Sequence, residues 1–378
     1  MRRLPELESV LNVLERQRQA LVDEYIQRAW TMFKSMTPAD WWNDAVTEGV
    51  GAYVTEQQMA FIRRMRRLAI SYADIMLGLV NISPDGQIPE YVVTRDNTDP
   101  WSVAVRPVSE YRHMATRDPT IRPLAWDNLE DKVQTAVDEW LDAAFGKVQD
   151  TARTDGQLAS THATLDRFKD SGVTMYRRVI HPELSRSGTC GLCVVASDRL
   201  YSIASLLPLH SNCHCGVIPV TESSDPGSGL TQSDLNRVYK AAWNALSDKR
   251  RKELEAQGFT YTTYGRDLMN VRVNYTVNGE IGPVMARADT GERNVPSRQG
   301  VEWHTPDREM TERQLQRMYD RAVAFDAHYR KVYETGQPDS FRYGGRTYTF
   351  RPSNHLEQAW AYHSRLMMSL RTTLGLAA

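Results

Sequence analysis

The residues with the most chemistry in this chain sit in one short stretch. Cys190, Cys193, His210, Cys213 and Cys215 fall within residues 190–215, and all four cysteines of the chain are among them. Thiolate sulfur and imidazole nitrogen are preferred zinc ligands, and the ion takes about four of them in a tetrahedron. Two ligands separated by two residues can both turn inward from one tight loop. Cys190-Gly-Leu-Cys193 has that spacing, with a glycine to help the backbone turn, and His210-Ser-Asn-Cys213 repeats it. Cys215 lies two residues further on, so five groups compete for about four positions. On a regular strand Cys213 and Cys215 point to opposite faces. Either one of them is a spare or the strand bends, and which one completes the set stays open. His214, between them, ranks last as a ligand.

The same residues could instead form two disulfides or a cluster of buried thiols. The N-terminus, Met1-Arg-Arg-Leu-Pro-Glu-Leu-Glu, has charges where a signal peptide needs its apolar segment, so folding in a cytoplasm is expected. Clustered cysteines in a reducing compartment favour metal over disulfide. A redox role for Cys190 and Cys193 lacks the strand–motif–helix context that thioredoxin-like chemistry needs.

An active site is harder to assemble. A cysteine protease needs a thiolate beside a histidine base, and a thiolate committed to metal is not a free nucleophile. His181 with Ser185 and Ser187 supplies the residue types of a serine protease, but no Gly-x-Ser-x-Gly occurs. Catalytic zinc usually has histidine and carboxylate ligands and an open position, whereas this cysteine-rich set is a closed, structural one. No P-loop or Rossmann glycine pattern is present.

The elements that must position these residues follow from periodicity. Leu4, Leu7, Leu11, Leu14, Leu21 and Tyr25 give an amphipathic helix over 4–34. Thr37-Pro38 predicts a capped start for a helix over 38–48, and a third helix covers 55–80. Pro84-Asp85-Gly86 is a turn, and Tyr91-Val-Val-Thr94 a short strand candidate. Helix is expected over 108–117, then from an Asp127 cap with Glu130 at capping-box spacing towards 150 and on through 154–169, with a break near Gly156. Val173–Ile180, Leu200–Ile203 and Gly216–Val220 are three short strands, with the cysteine segment between and across them. The linker Thr221–Gly229 precedes a helix from Thr231 to about Gly258. A strand over 271–277 with an Asn278-Gly279 hairpin turn, a helix over 310–334, a hairpin over 341–350 and a helix from Ser353 to Leu374 complete the chain.

The fold class is thus α+β and predominantly helical: long N-terminal helices, a small zinc-knuckle β unit and a C-terminal α+β region. The blocks are 1–150, 151–222 and 230–378. With 378 residues and 41% apolar content the chain can bury a sizeable core. No run of about 18 apolar residues is present, so no membrane span is expected. A net charge of -1 is no footprint of a whole-chain nucleic-acid binder, so basic patches are judged singly. Arg63, Arg64, Arg66 and Arg67 form one such patch, suited to DNA phosphates or an acidic partner, or else to a solvated helix face. Lys249-Arg-Arg-Lys252 is a second, diluted by Glu253 and Glu255. Trp41-Trp42 suits core or partner packing. His113, His162, His304, His328, His355 and His363 read as ordinary surface or core residues.

One further pattern spans residues 151–220. It runs Thr151-Ala-Arg-Thr-Asp155, Cys190-Gly-Leu-Cys193, Asp198-Arg-Leu-Tyr201, Pro208-Leu-His-Ser-Asn-Cys-His-Cys215 and Val217-Ile-Pro-Val220. This order resembles the phage Mu F-type head-morphogenesis domain, which has Ala-Arg-Thr-Glu, Cys-x-x-Cys and a closing Pro-x-His-x-Asn-Cys-x-Cys before a short apolar strand. Asp155 replaces the usual Glu, and His214 the usual basic residue. The resemblance covers about a fifth of the chain strongly and the helical N-terminal part more loosely. It implies a minor capsid protein of a tailed bacteriophage, made in the host cytoplasm. Such a protein would sit inside the head at the portal vertex, bind portal, capsid or scaffold protein, and act in head morphogenesis and DNA packaging or ejection. Block 1–150 would bind the portal or another partner, and structural zinc would sit on the cysteine–histidine set. Relatives of this kind are often labelled capsid maturation proteases, so proteolysis of scaffold or capsid protein is the alternative to a non-enzymatic role. A toxin delivered with DNA would need activity in 230–378, where no motif is found.

Overall fold

The computed structural model describes residues 4–179, 200–203, 216–222, 225, 236, 239–240, 243–244, 246–269, 273–287 and 301–376. Among the described residues the helices are α1 (Leu4–Lys34), α2 (Asp44–Leu79), α3 (Pro100–Ala104), α4 (Arg106–Met114), α5 (Asp131–Asp170), α6 (Asp248–Ala256), α7 (Tyr261–Met269), α8 (Arg308–Thr335) and α9 (Leu356–Thr373). The strands are β1 (Met175–Val179), β2 (Leu200–Ser202), β3 (Gly216–Val220), β4 (Val273–Asn278), β5 (Gly282–Arg287), β6 (Asp339–Tyr343) and β7 (Arg346–Phe350). The protein is predominantly helical, and its described strands form one three-stranded sheet and two hairpins.

Two compact units form. One comprises Met1–Ala20, Arg64–Pro89 and Gly156–Thr305, the other Leu21–Arg63, Glu90–Asp155 and Pro306–Ala378. This grouping differs from the blocks drawn at 150 and 222–230, because composition marks linkers and not the core that each helical turn joins.

In the first unit Leu11 and Leu14 of α1, Ala73, Met76 and Leu77 of α2, and Leu165 and Phe168 of α5 pack with Tyr176, Val217 and Ile218 of the sheet. The chain enters that sheet through a Schellman turn. Gly172 ends α5 at φ 74°, its N–H donates to Lys169 O, and Val173 N–H donates to Phe168 O. A side chain would strain that left-handed position.

The second unit is built on α8 and α9. Phe325 of α8 sits amid Phe341, Tyr343, Tyr348 and Phe350 of the β6–β7 hairpin, with ring centroids 4.9–5.9 Å away. The hairpin turns through Gly344-Gly345, both at positive φ, as a two-residue turn requires. Asp44 ties it to α2, accepting from Thr349 N at 2.8 Å and from Arg112 Nη1 at 2.7 Å.

Several expectations are corrected. The helices over 38–48 and 55–80 are instead a short 3₁₀ turn at Asp40–Trp42 and one continuous α2. Gly49 and Gly51 do not break it. A Cβ on Gly49 would lie 2.4 Å from Ala359 O, and one on Gly51 2.4 Å from Val105 Cγ1, so these glycines admit close packing. Thr37 does not cap a helix: it exchanges hydrogen bonds with Asp40, while the N-cap of the 3₁₀ turn is Ala39, with no side-chain cap bond. α5 starts at Asp131 and not Asp127, since Asn128 sits at φ 56°. It also runs unbroken through Gly156, because buried residues on both sides outweigh the roughly 1 kcal/mol that glycine costs. Tyr91–Thr94 is buried and belongs to none of the described strands. At the β4–β5 turn Asn278 pairs with Gly282, leaving a three-residue loop. The Asn278 carboxamide oxygen accepts from Glu280 N and Ile281 N there. α7 was not expected. The single helix expected from Thr231 to about Gly258 is interrupted: Ser247 is extended at ψ 152° and caps a separate α6, while 231–245 lies largely outside the described residues.

Candidate functional site

The site begins with the three-stranded sheet, ordered β2-β1-β3 and antiparallel throughout. Met175 pairs with both Ser202 and Val220, Arg177 with both Leu200 and Ile218, and Val179 with Gly216. The C-terminal end of β1 and the N-terminal ends of β2 and β3 therefore lie at one end of the sheet. The segment carrying Cys190 and Cys193 leaves from Val179 and returns at Leu200. Cys215 directly precedes Gly216. Both cysteine pairs are thus joined to described stems at the same sheet end. The predicted ligands Cys190, Cys193, His210, Cys213 and Cys215, like His214, His181, Ser185 and Ser187, lie outside the described residues. Among the described residues no group of three or more His, Cys, Asp or Glu is placed to hold a metal.

The stems are firmly anchored. Tyr176 is buried and stacks on Tyr201 with centroids 5.2 Å apart, and the Arg178 guanidinium covers both rings. On the opposite face Arg177 makes two 2.7 Å bonds to the Asp225 carboxylate. Beside β3, a cavity of ≈ 30 Å³ is lined by Glu15, Arg18, Gln157, Thr161, Arg178 and Gly216, among others. That is room for about two waters.

The basic patch is less uniform than its sequence. Arg66 is 3% exposed and bonds to Asp166 at 3.1 Å and to Pro89 O at 3.2 Å. That places it in the core of its unit and not against phosphate. Arg64 and Arg67 are exposed, and Arg63 is half-buried.

Two histidine–carboxylate pairs have the geometry of a general base and its orienting acid. His355 Nδ1 lies 2.6 Å from Asp40 Oδ2, and His328 Nδ1 2.6 Å from Asp339 Oδ2. Both serve packing. Asp40 also accepts from Thr37 Oγ1, and His328 stacks on Phe341 at 3.5 Å. Lys331 and His328 hold the Asp339 carboxyl below its ordinary range by hydrogen bonding.

Two buried ion pairs had no functional reading in the sequence. Asp155, the acid of the Ala-Arg-Thr-Asp segment, is fully buried. It accepts from Arg95 Nε at 2.7 Å, Gln58 Nε2 at 2.5 Å and Thr94 Oγ1 at 3.2 Å. Glu48 and Arg321 form a second buried ion pair. Neither set has a local sequence signal beyond residue type.

His162 and His363 are buried, and desolvation holds their pKa values down at about 3 and about 4. Arg66 adds to the effect at His162. Unfolding restores values near 6.5, so the unfolded chain binds the extra protons first. The stability from each neutral histidine is intact above pH 6.5 and is lost as pH falls towards the folded value. At pH 5 each is expected to remove about 2 kcal/mol. His363→Gln and His162→Gln should each flatten the fall in unfolding midpoint between pH 7 and 5. Equal acid sensitivity in wild type and both variants would refute this.

No protein-family model, curated protein or solved structure matches the chain. The Mu F-type resemblance therefore rests on the quoted residues alone. No helix among the described residues is long and apolar enough to cross a membrane.

Proposed function

We propose that this chain is a non-enzymatic minor capsid protein of a tailed bacteriophage, bound to the portal inside the head and acting in head assembly. The cysteine–histidine segment would bind structural zinc. One observation supports the metal reading above others: the register of β1 with β2 and β3 puts the stems of both cysteine pairs at one end of the sheet. The sheet packs on α1, α2 and α5, and a metal would supply folding energy to the cysteine segments joined to it. The order of motifs from Thr151 to Val220 supports the capsid reading.

The two halves are tested together. Protein expressed in a reducing cytoplasm should carry about one zinc per chain. Cys190→Ser should lose the zinc and expose β1 and β3 to hydrogen exchange, while α8 and α9 stay protected. Metal-free, stable wild-type protein would sink the zinc claim. Co-expressed with the capsid, scaffold and portal genes of its own phage, the chain should enter procapsids only when the portal is present. Particles that contain portal and exclude the chain would overturn the capsid role.

A further inference from the structure

Helix α6 carries Lys249-Arg250-Arg251-Lys252, and its charge runs against its own dipole. The positive end of a helix is its N-terminus, where anions stabilise and cations do not. In α6 the four cations fill the N-terminal half, and Glu253 and Glu255 follow them towards the negative end. The pairing order is also the less favourable one, with Arg250 preceding its partner Glu253. Only Asp248 in the first turn suits the dipole. Helix stability does not explain this arrangement.

The helix is nonetheless held in place. Ser247 caps it, accepting from Arg250 N at 3.3 Å. Leu254 is buried with Trp243 and Leu246, and Phe259 and Tyr264 pack on them. Leu254 fixes the inner face. On a helical wheel Lys249 and Lys252 then lie on the side away from it, one turn apart. Both are exposed. Of the acids on α6, Asp248 pairs with Arg251 and Glu253 with Arg250, while Glu255 flanks the outer line one turn beyond Lys252. The N-terminal half of that outer line is thus left with lysine charge.

We propose that the outer face of α6 is a docking surface for duplex nucleic acid, with Lys249 and Lys252 contacting successive backbone phosphates. Lysine is a compact point charge suited to phosphate, and such contacts position a chain on a duplex without reading its sequence. The proposal stands on α6 alone and does not need the zinc or capsid reading. With few contacts and a chain of net charge -1, binding is weak and strongly salt-dependent.

The test is fluorescence anisotropy of a labelled 30-bp DNA duplex with the full chain, titrated over a series of salt concentrations. Wild type should bind with log K falling linearly against log salt. Lys249→Gln with Lys252→Gln should make that slope shallower by about 1.8, or about 0.9 per lost phosphate contact, and weaken binding roughly tenfold or more at low salt. Relieved of its dipole conflict, α6 in this variant should exchange its amides no faster than in wild type. Arg313→Gln with Arg317→Gln, on α8, should leave the slope unchanged. An unchanged slope in the α6 variant overturns the proposal. So does poly-glutamate displacing the chain as well as DNA of equal charge, which would make the partner an acidic protein.

Discussion

Replacing Asp155 by alanine is expected to destabilise the second unit by about 3–5 kcal/mol, because it removes a fully buried carboxylate from the Arg95 guanidinium and two further donors. Asp155 is 0% exposed and its partner Arg95 is 8% exposed, so neither charge has water to fall back on. Three donors converge on the carboxylate, two of them from the segment around Thr94 and Arg95. The main chain of that segment is itself used, since Arg95 O accepts from Gln314 Nε2 at 3.1 Å. Loss of Asp155 should therefore loosen residues 91–98 as a block. Hydrogen exchange should show it there first, and denaturant unfolding should show the loss of stability. Asp155→Glu keeps the charge but adds a methylene to a filled site, which costs roughly 1–3 kcal/mol. A loss under about 1 kcal/mol for Asp155→Ala would mean that Arg95 finds water or another acceptor, and the account would fail.

The same segment shows where sequence reasoning stops. Tyr91-Val-Val-Thr94 has the β-branched, apolar character of a strand, and it is buried as a core strand would be. The Thr94 hydroxyl and the Arg95 side chain that follows it donate to a carboxylate on α5, 61 residues from Thr94. Long-range pairing of that kind leaves no local period. Elements with a period or a turn code were legible: α1 by its leucine spacing, the β6–β7 hairpin by Gly344-Gly345, and β1, β2 and β3 by short runs bounded by polar segments. Glycine was ambiguous, since Gly49, Gly51 and Gly156 lie inside helices while Gly172 ends one. The arginine patch was legible as charge but not as placement. Helical position alone does not say that Arg66 meets Asp166, 100 residues away. Of the candidate site, the sequence supplied ligand types and spacing, and the structure supplied the stems. The stems meet through sheet register, which spacing cannot encode.

The second large effect is expected at Glu48 and Arg321, 273 residues apart in sequence. Arg321 Nη2 donates to Glu48 Oε2 at 2.5 Å, and the guanidinium lies 4.3 Å from the Trp101 ring centroid and 5.1 Å from that of Phe325. Glu48 is 1% exposed. Burial raises its pKa, and Arg321 pulls it back only in part. Arg321→Met fills the same space without the charge, so it should cost about 3–5 kcal/mol at pH 7 by stranding the carboxylate. Adding Glu48→Gln should recover much of that, because a buried pair exchanged for neutral groups is often close to neutral. The pH dependence identifies the cause. A carboxyl whose folded pKa is raised is stable when protonated, below its unfolded value near 4.5, and that stability is lost as pH rises through the folded pKa. With Arg321 gone the folded value rises further, so the penalty of Arg321→Met relative to wild type should shrink as pH falls from 7 to 5. This runs opposite to the acid loss from His162 and His363. A cavity or a packing defect around Trp101 would cost the same at both pH values, so a penalty equal at pH 5 and pH 7 would assign the loss to shape instead of charge.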